Sequence, residues 1–358
     1  MLKNNLLVAP LVALLCATAL PHMALGASGP SDEPVTTPTG EARALSSTDF
    51  APRFDLGGSY SEAWTYVFLL DGGMQAHFSI SRANLGRFLG QVTGAEFAVT
   101  NFDGRSYRAP KQYDPADFEY SAGRNRLAVS PRIFVEGAFS ERHHVYFQAS
   151  KDGHEFILDV QLTDAAPGLT WGDGVFHLGD DALGVYIHVP QARVSGTITV
   201  DGVTKRVSGT AYMDHTFQTD FAPKLVRTAF RLVEHGSQPS VGLFVLPADQ
   251  YEERVVGLGA VKRGGRFQLR RPATIDVIST RPAHDAEVPH QFVVNYEGGG
   301  RTIFNRNRDA QAFATLSDLG TVARTFAQSY IGGHPVVARG RGTTNAGGAF
   351  AYDLLVIR

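Results

Sequence analysis

The sequence predicts an all-β protein, a barrel or sandwich built from many short strands. Three observations predict it. Short apolar runs with period-two alternation recur along the chain, and Gly, Asp-Gly and Pro punctuate them at near-regular spacing. No long stretch carries the 3.6-residue apolar period of a helix. No segment reads as strand–helix–strand, and no Gly-x-Gly-x-x-Gly or phosphate loop stands where one would be needed, which argues against a nucleotide cofactor.

The chain has 358 residues, enough for two domains, with a formal net charge of −2 and 19% charged residues. No basic excess points to nucleic acid. Residues 1–27 read as a secretory signal peptide: Lys3, then an apolar run from Leu6 to Leu20, then small residues at Ala24, Gly26 and Ala27. A secreted or periplasmic location follows as the expectation. Cys16, the only cysteine, lies inside that run, so the mature chain is expected to carry no disulfide, thiolate nucleophile or zinc-thiolate site. Residues 28–50 are rich in Pro, Ser, Thr and Gly and read as a flexible linker.

From residue 51 the strands follow in order. Ala63–Leu70 pairs with Met74–Ser81 across Asp71-Gly72-Gly73, and a short run at Phe97–Phe102 precedes Asp103-Gly104. His143–Ser150 and His154–Leu162 flank the turn Lys151-Asp152-Gly153. The next hairpin, Arg193 to Phe221, turns at Asp201-Gly202, a pair suited to two positive φ angles. A seam is expected near Ala222-Pro223, dividing 51–221 from 222–358. The second half repeats the pattern at 241–246, 255–262, 266–270, 275–279, 292–296, 301–306, 336–341 and 350–357, with short helices expected between Asp309 and Tyr330.

The hairpin ends in Tyr212-Met213-Asp214-His215-Thr216-Phe217, an acid beside an imidazole. Alternation puts Tyr212 and Asp214 on one face and His215 on the other unless a bulge re-aims it. The corner is a site candidate, and an Asp and a His at a strand end also serve simply to bond the next turn. Trp64 and Tyr66 share a strand face by the same rule. Trp64, Tyr66, Phe68, Tyr186, Tyr212 and Phe217 are candidates to line a pocket, although such aromatics are more often plain core. His143 and His144 are adjacent, so they face opposite sides; His77, His154, His177, His188, His235 and His334 have no carboxylate at a ligand spacing. Neither HExxH nor Gly-x-Ser-x-Gly occurs, so no metal is expected and no serine-hydrolase elbow.

The stretch from Asp159 to Phe217 resembles the carotenoid hydratase and AttH-like lipocalin family. The matching positions are Ser195-Gly196, Asp201-Gly202, Ser208-Gly209, Tyr212, Asp214 and His215, after a Tyr-rich strand that ends in Pro at 186–190. The family's corner continues with Trp-Gly, and here Phe217-Gln218 stands instead. The resemblance implies two lipocalin-like β-barrel domains, a large apolar ligand and no cofactor. Beside a structural or interaction protein whose barrels are filled with side chains, two functions stay open. One is an exported protein binding a bulky apolar small molecule such as an isoprenoid, sterol or other lipid, with peripheral membrane contact. The other is a hydratase or cyclase on a similar substrate, with Asp214, His215 and Tyr212 as catalytic residues and Trp64, Tyr66, Tyr186 and Phe217 around the ligand. Half-protonating Asp214 near pH 7 needs a shift of about three pKa units, roughly 4 kcal/mol. If the two sit together, Asp214 orients the imidazole and His215 carries the proton.

Overall fold

The computed structural model describes residues 34–53, 58–84, 90–220, 222–236, 238–315 and 333–358. The expected leader with Cys16, Phe221, and the expected helical stretch beyond Thr315 lie outside the described residues. Among the described residues the chain forms two antiparallel sheets of fifteen and nine strands and one short helix, Ala222–Leu225.

The first sheet runs in the order Arg105–Tyr113, Gln91–Phe102, Gln75–Asn84, Tyr60–Leu70, Val203–Gln218, Asp181–Val200, His154–Thr163, His143–Lys151, Ile133–Glu136, Arg126–Ser130, Glu119–Ser121. Side strands at Val35–Thr36, Ala42–Ala44, Leu169–Trp171 and Val175–Leu178 complete it. The second runs Arg266–Arg270, Val256–Arg263, Ser240–Pro247, Val226–Glu234, Ala349–Ile357, Pro335–Thr344, Arg301–Ala314, Ala286–Tyr296, Pro272–Ala283. Each hydrogen-bonded path has two ends. In the first, Lys111 Nζ donates to the Ser150 carbonyl at 3.0 Å, so the strand at one end reaches across to a strand near the other.

The central hairpin turns where expected, with φ of 50° at Asp201 and 79° at Gly202. Two of the motif glycines have a packing reason. A Cβ at Gly196 would lie 2.1 Å from the Asp159 carbonyl oxygen, and one at Gly209 would lie 2.2 Å from that of Leu69. Only hydrogen lets the neighbouring strands approach so closely.

Three apolar clusters follow from alternation. Trp64, Tyr66, Phe68 and Leu70 face the interior of the first sheet with Phe78, Phe97, Phe147 and Met213. The residues between them face the seam, where Val67, Val185, Ile187 and Tyr212 pack against Val233, Val241, Leu243 and Leu355 of the second sheet. Phe230, Phe292, Phe304 and Phe350 fill the second interior.

Three sequence expectations are corrected. The segment expected as a linker is built into the fold from Val35: it pairs at Val35–Thr36 and Ala42–Ala44, then turns at Ser47–Phe50, with Phe50 fully buried. Residues 309–314, expected as helix, extend the strand Arg301–Ala314. The run expected to end at Pro190 continues to Val200 through register shifts at Ile187/Val189 and Val189/Ala192.

Candidate functional site

The corner Tyr212–His215 splits between two environments, as alternation requires. Tyr212 and Asp214 face the seam; His215 faces the first interior.

At the seam Asp214 is fully buried and held by both sides of a guanidinium fork: Arg231 Nε to Oδ2 at 2.6 Å and Nη2 to Oδ1 at 3.1 Å. Arg231 Nη1 continues to Asp353 at 2.9 Å, Arg339 bonds Glu96 and forms an ion pair with Asp353 at 3.3 Å, and Arg108 closes on Glu96 at 2.9 Å. Burial opposes the charge on Arg231, but Asp214 and Asp353 outweigh it and hold the guanidinium above its ordinary value. Burial likewise raises Glu96 and Asp353, and the arginines overcome it to leave both carboxyls below the usual range. Tyr212 is pushed well up by burial and then by the Asp214 charge. His77, buried on this face, takes a hydrogen bond from Gln75 Nε2 at 2.7 Å; burial and then the Arg339 charge lower it to about 3. The expected Asp214–His215 acid–base pair is therefore not formed. Asp214 is committed to Arg231 between the sheets.

The interior side gathers a different set. His215 stacks on Trp64 with ring centroids 4.5 Å apart and an interplanar angle of 16°. Its Nε2 lies 2.9 Å from Glu62 Oε1, and its Nδ1 lies 3.3 Å from the Asp49 carbonyl oxygen. Glu62 sits two residues before Trp64, the cross-strand partner of His215, so it is a diagonal neighbour on the same face. The Glu62 and His215 side chains are both fully buried. Glu62 Oε1 also accepts the Arg53 backbone N–H at 2.6 Å.

Two further histidines join. His143 donates from Nδ1 to the Gly137 carbonyl at 2.8 Å and accepts from the Tyr66 hydroxyl at Nε2, also 2.8 Å. Burial lowers His143 to about 4 and pushes Tyr66 well up. His188 stands at the bulge between Ile187 and Val189, which turns both it and Val189 inward. Its ring is 6.0 Å from that of His215, and its buried Nε2 has no hydrogen-bond partner among the described residues. Burial, then the neighbouring His215, lowers His188 well below its ordinary value.

Phe50 and Phe139 pack among these rings: Phe50 lies edge-on to Trp64, His143 and His188, and Phe139 sits 4.4 Å from His143. The segment carrying Phe50 is tied down by Asp49, whose carboxylate takes hydrogen bonds from Arg43 and Arg53 and from Ser46. Burial opposes the Asp49 charge, but Arg43 and Ser46 outweigh it and hold the carboxyl well below the usual range. Tyr186 and Phe217 pack against His215, with the Arg53 guanidinium 4.9 Å above the Tyr186 ring.

Of the expected site residues, the structure brings His215, Trp64, Tyr66, Tyr186 and Phe217 to one interior and places Tyr212 and Asp214 behind them. Sequence reasoning missed Glu62, His143, His188, Phe50 and Asp49. Pro190, which cannot donate to a ladder, was the one local signal of the bulge that aims His188. Among the described residues no cluster of His, Cys, Asp and Glu has metal-binding geometry.

In fold the chain is similar to several solved structures. An AttH candidate from Nitrosomonas europaea aligns with a TM-score of 0.63 at 16% identity, over 90% of this chain and 99% of that one. CghA with Sch210972 gives 0.56 at 13% identity, over 83% and 88%, and kievitone hydratase from Nectria haematococca 0.53 at 13%, over 91% and 96%. At such identities the likeness is one of fold. No protein-family model and no curated protein sequence matches the chain.

Proposed function

We propose that the chain is a cofactor-independent acid–base enzyme of the hydratase or cyclase type, acting on a bulky apolar molecule inside its first sheet. The proposal takes that sheet as a lipocalin-like barrel closed through side-chain contacts such as Lys111–Ser150. The observation that carries the reading is the buried His215–Glu62 pair stacked on Trp64. Both partners of His215 are acceptors, a backbone carbonyl and a carboxylate. A proton held in the Nε2–Oε1 hydrogen bond of this pair is the one delivered to an alkene. The resulting cation meets the aromatic faces of Trp64, Phe50 and Phe139. In a hydration, water adds to the cation and His188, neutral with a free Nε2, takes the proton that water releases. In a cyclisation, an internal π bond or heteroatom takes the place of water. General acid–base steps of this kind contribute about 10²–10⁴ in rate.

The relatives in fold make the test concrete. The purified chain is incubated in ¹⁸O-water with kievitone, an acyclic carotenoid and other prenylated substrates, and products are read by mass spectrometry. Incorporation of one labelled water, lost in Glu62→Gln, supports a hydratase. An isomer of unchanged mass supports a cyclase. Stoichiometric uptake with no product, unchanged in Glu62→Gln, supports instead a carrier of the same apolar molecule. Export is a separate part of the proposal, checked by N-terminal sequencing of protein recovered outside the cytoplasm.

A further inference from the structure

A cavity lined by the second sheet differs in chemistry from the histidine-bearing interior. It has a volume of about 540 Å³ and opens among the hairpin Val256–Arg270 and the strands starting at Ser240 and Arg301 of the second sheet. That volume is within the range of small-molecule sites, about 300–1,000 Å³. Its lining holds four cations, Lys262, Arg263, Arg270 and Arg301, and a single carboxylate, Glu234. Glu234 is buried and bonded to Ser240 Oγ at 3.3 Å, and burial raises it above the usual carboxylate range. No carboxylate pairs with Arg263, Arg270 or Arg301 among the described residues. On a chain of net charge −2, four cations around one cavity are a local feature. The other large cavity of this sheet, about 500 Å³, has the opposite character, with Asp249, Glu252, Glu253 and Asp276 against Arg227 alone.

Arg270 is also held in place. Its guanidinium lies 3.7 Å over the Tyr296 ring and donates from Nη2 to the Gly299 carbonyl at 3.3 Å. Gly300, at φ +89°, makes room: a Cβ there would stand 2.7 Å from that Nη2. The fork is thus laid flat on a ring with its other donors unpartnered among the described residues. A planar guanidinium presents its edge to an oxyanion and its face to an aromatic ring.

We propose that this cavity binds a small aromatic oxyanion, a carboxylate or a phosphate ester. The charged end sits against Arg301 and Arg263, and the ring lies on the open face of Arg270, backed by Tyr296 and walled by Ala260 and Val261. Lys262, tied to Gln191 Oε1 at 3.0 Å, adds charge without a fork.

The test is calorimetric titration of the full chain at low salt with 1-naphthoate, 1-naphthyl phosphate and the neutral 1-naphthalenemethanol. Either anion is expected to bind at one site and to weaken as sodium chloride rises, and the alcohol to bind at least tenfold more weakly. The tighter of the two anions identifies the head group. Arg301→Gln, at an exposed strand end, is expected to lower affinity about tenfold. Arg270→Lys, which keeps the charge and removes the planar fork, is expected to lower it by a similar factor. His215→Gln, in the other sheet, is expected to leave it unchanged. The proposal is overturned if neither anion binds, if the alcohol binds as well as the anions, or if His215→Gln abolishes binding that Arg301→Gln leaves intact.

Discussion

The two sheets share one pattern of short alternating strands, yet their interiors are filled differently. The second interior is packed with Phe230, Phe244, Phe292, Phe304 and Phe350. Its buried cation, Arg306, bonds Asp309 and the carbonyls of Arg281 and Val288. The first interior has a comparable aromatic lining and also holds His143, His188, His215, Tyr66 and Glu62. A buried polar group costs free energy unless it is bonded, and the His188 Nε2 of the first interior and the Arg306 Nε of the second both lack a partner among the described residues. What sets the first interior apart is its gathering of three histidines and a buried carboxylate, which is why the proposed chemistry is assigned there.

The sharpest way to break this contrast is one substitution in each interior. His215→Gln is expected to lower turnover per folded molecule by about 10²–10⁴, beyond anything its loss of a buried hydrogen-bond partner, about 1–3 kcal/mol of stability, accounts for. Phe292→Ala is expected to do the reverse, costing about 3–5 kcal/mol in denaturant unfolding with turnover per folded molecule unchanged. Equal effects on both readouts from either variant would dissolve the distinction.

Next in size is the seam. Asp214→Ala leaves Arg231 buried with one of its two carboxylates, and a loss of about 3 kcal/mol in urea unfolding is expected. Turnover per folded molecule should hold, since Asp214 faces away from His215. A collapse of turnover without loss of stability would return Asp214 to the catalytic role.

Acid should then act on the first sheet. The ordinary histidine value is 6.5, and His143 is lowered to about 4 by burial. Between these values the unfolded chain binds a proton that the folded chain refuses. Stability is therefore full above about pH 6.5 and falls as pH drops toward 4, by about 1.4 kcal/mol per pH unit for each such histidine. His188, also lowered by burial, adds to the same loss. Urea midpoints at pH 7, 6 and 5 should show the slope, and His143→Phe should reduce it, with His77, His188 and His235 keeping the rest. The smallest effect is Tyr66→Phe, which removes one hydrogen bond to His143 and is expected to cost about 1 kcal/mol.

Much of the fold was legible because it is local. Asp201-Gly202, the hairpin at Lys151–Gly153 and the shared face of Trp64 and Tyr66 each follow from a few adjacent residues. The parting of His215 from Tyr212 and Asp214 followed from alternation alone. The partners did not. Glu62 meets His215 only through the register of a ladder closed across 153 residues, and Arg231 reaches Asp214 from the other sheet. The segment 34–50 misled through composition: Pro, Ser and Thr suggested a linker, and one aromatic, Phe50, carries its burial. His188 was passed over because an isolated histidine on a strand has no aim until the bulge is known.

That bulge has a consequence for chain length. Ile187 stands opposite Asp214 and Val189 opposite Met213, so His188 is supernumerary: the partner strand has no residue for it. A chain shortened by deleting His188 keeps every cross-strand pair from Leu183–Gln218 through Val200–Val203 and loses the interruption together with the ring that packs on Phe50 and Phe139. The ladder becomes more regular while the interior loses one side chain. Such a deletion is expected to keep the fold at some cost in stability while being unable to take a proton from water, a scaffold against which uptake and turnover separate.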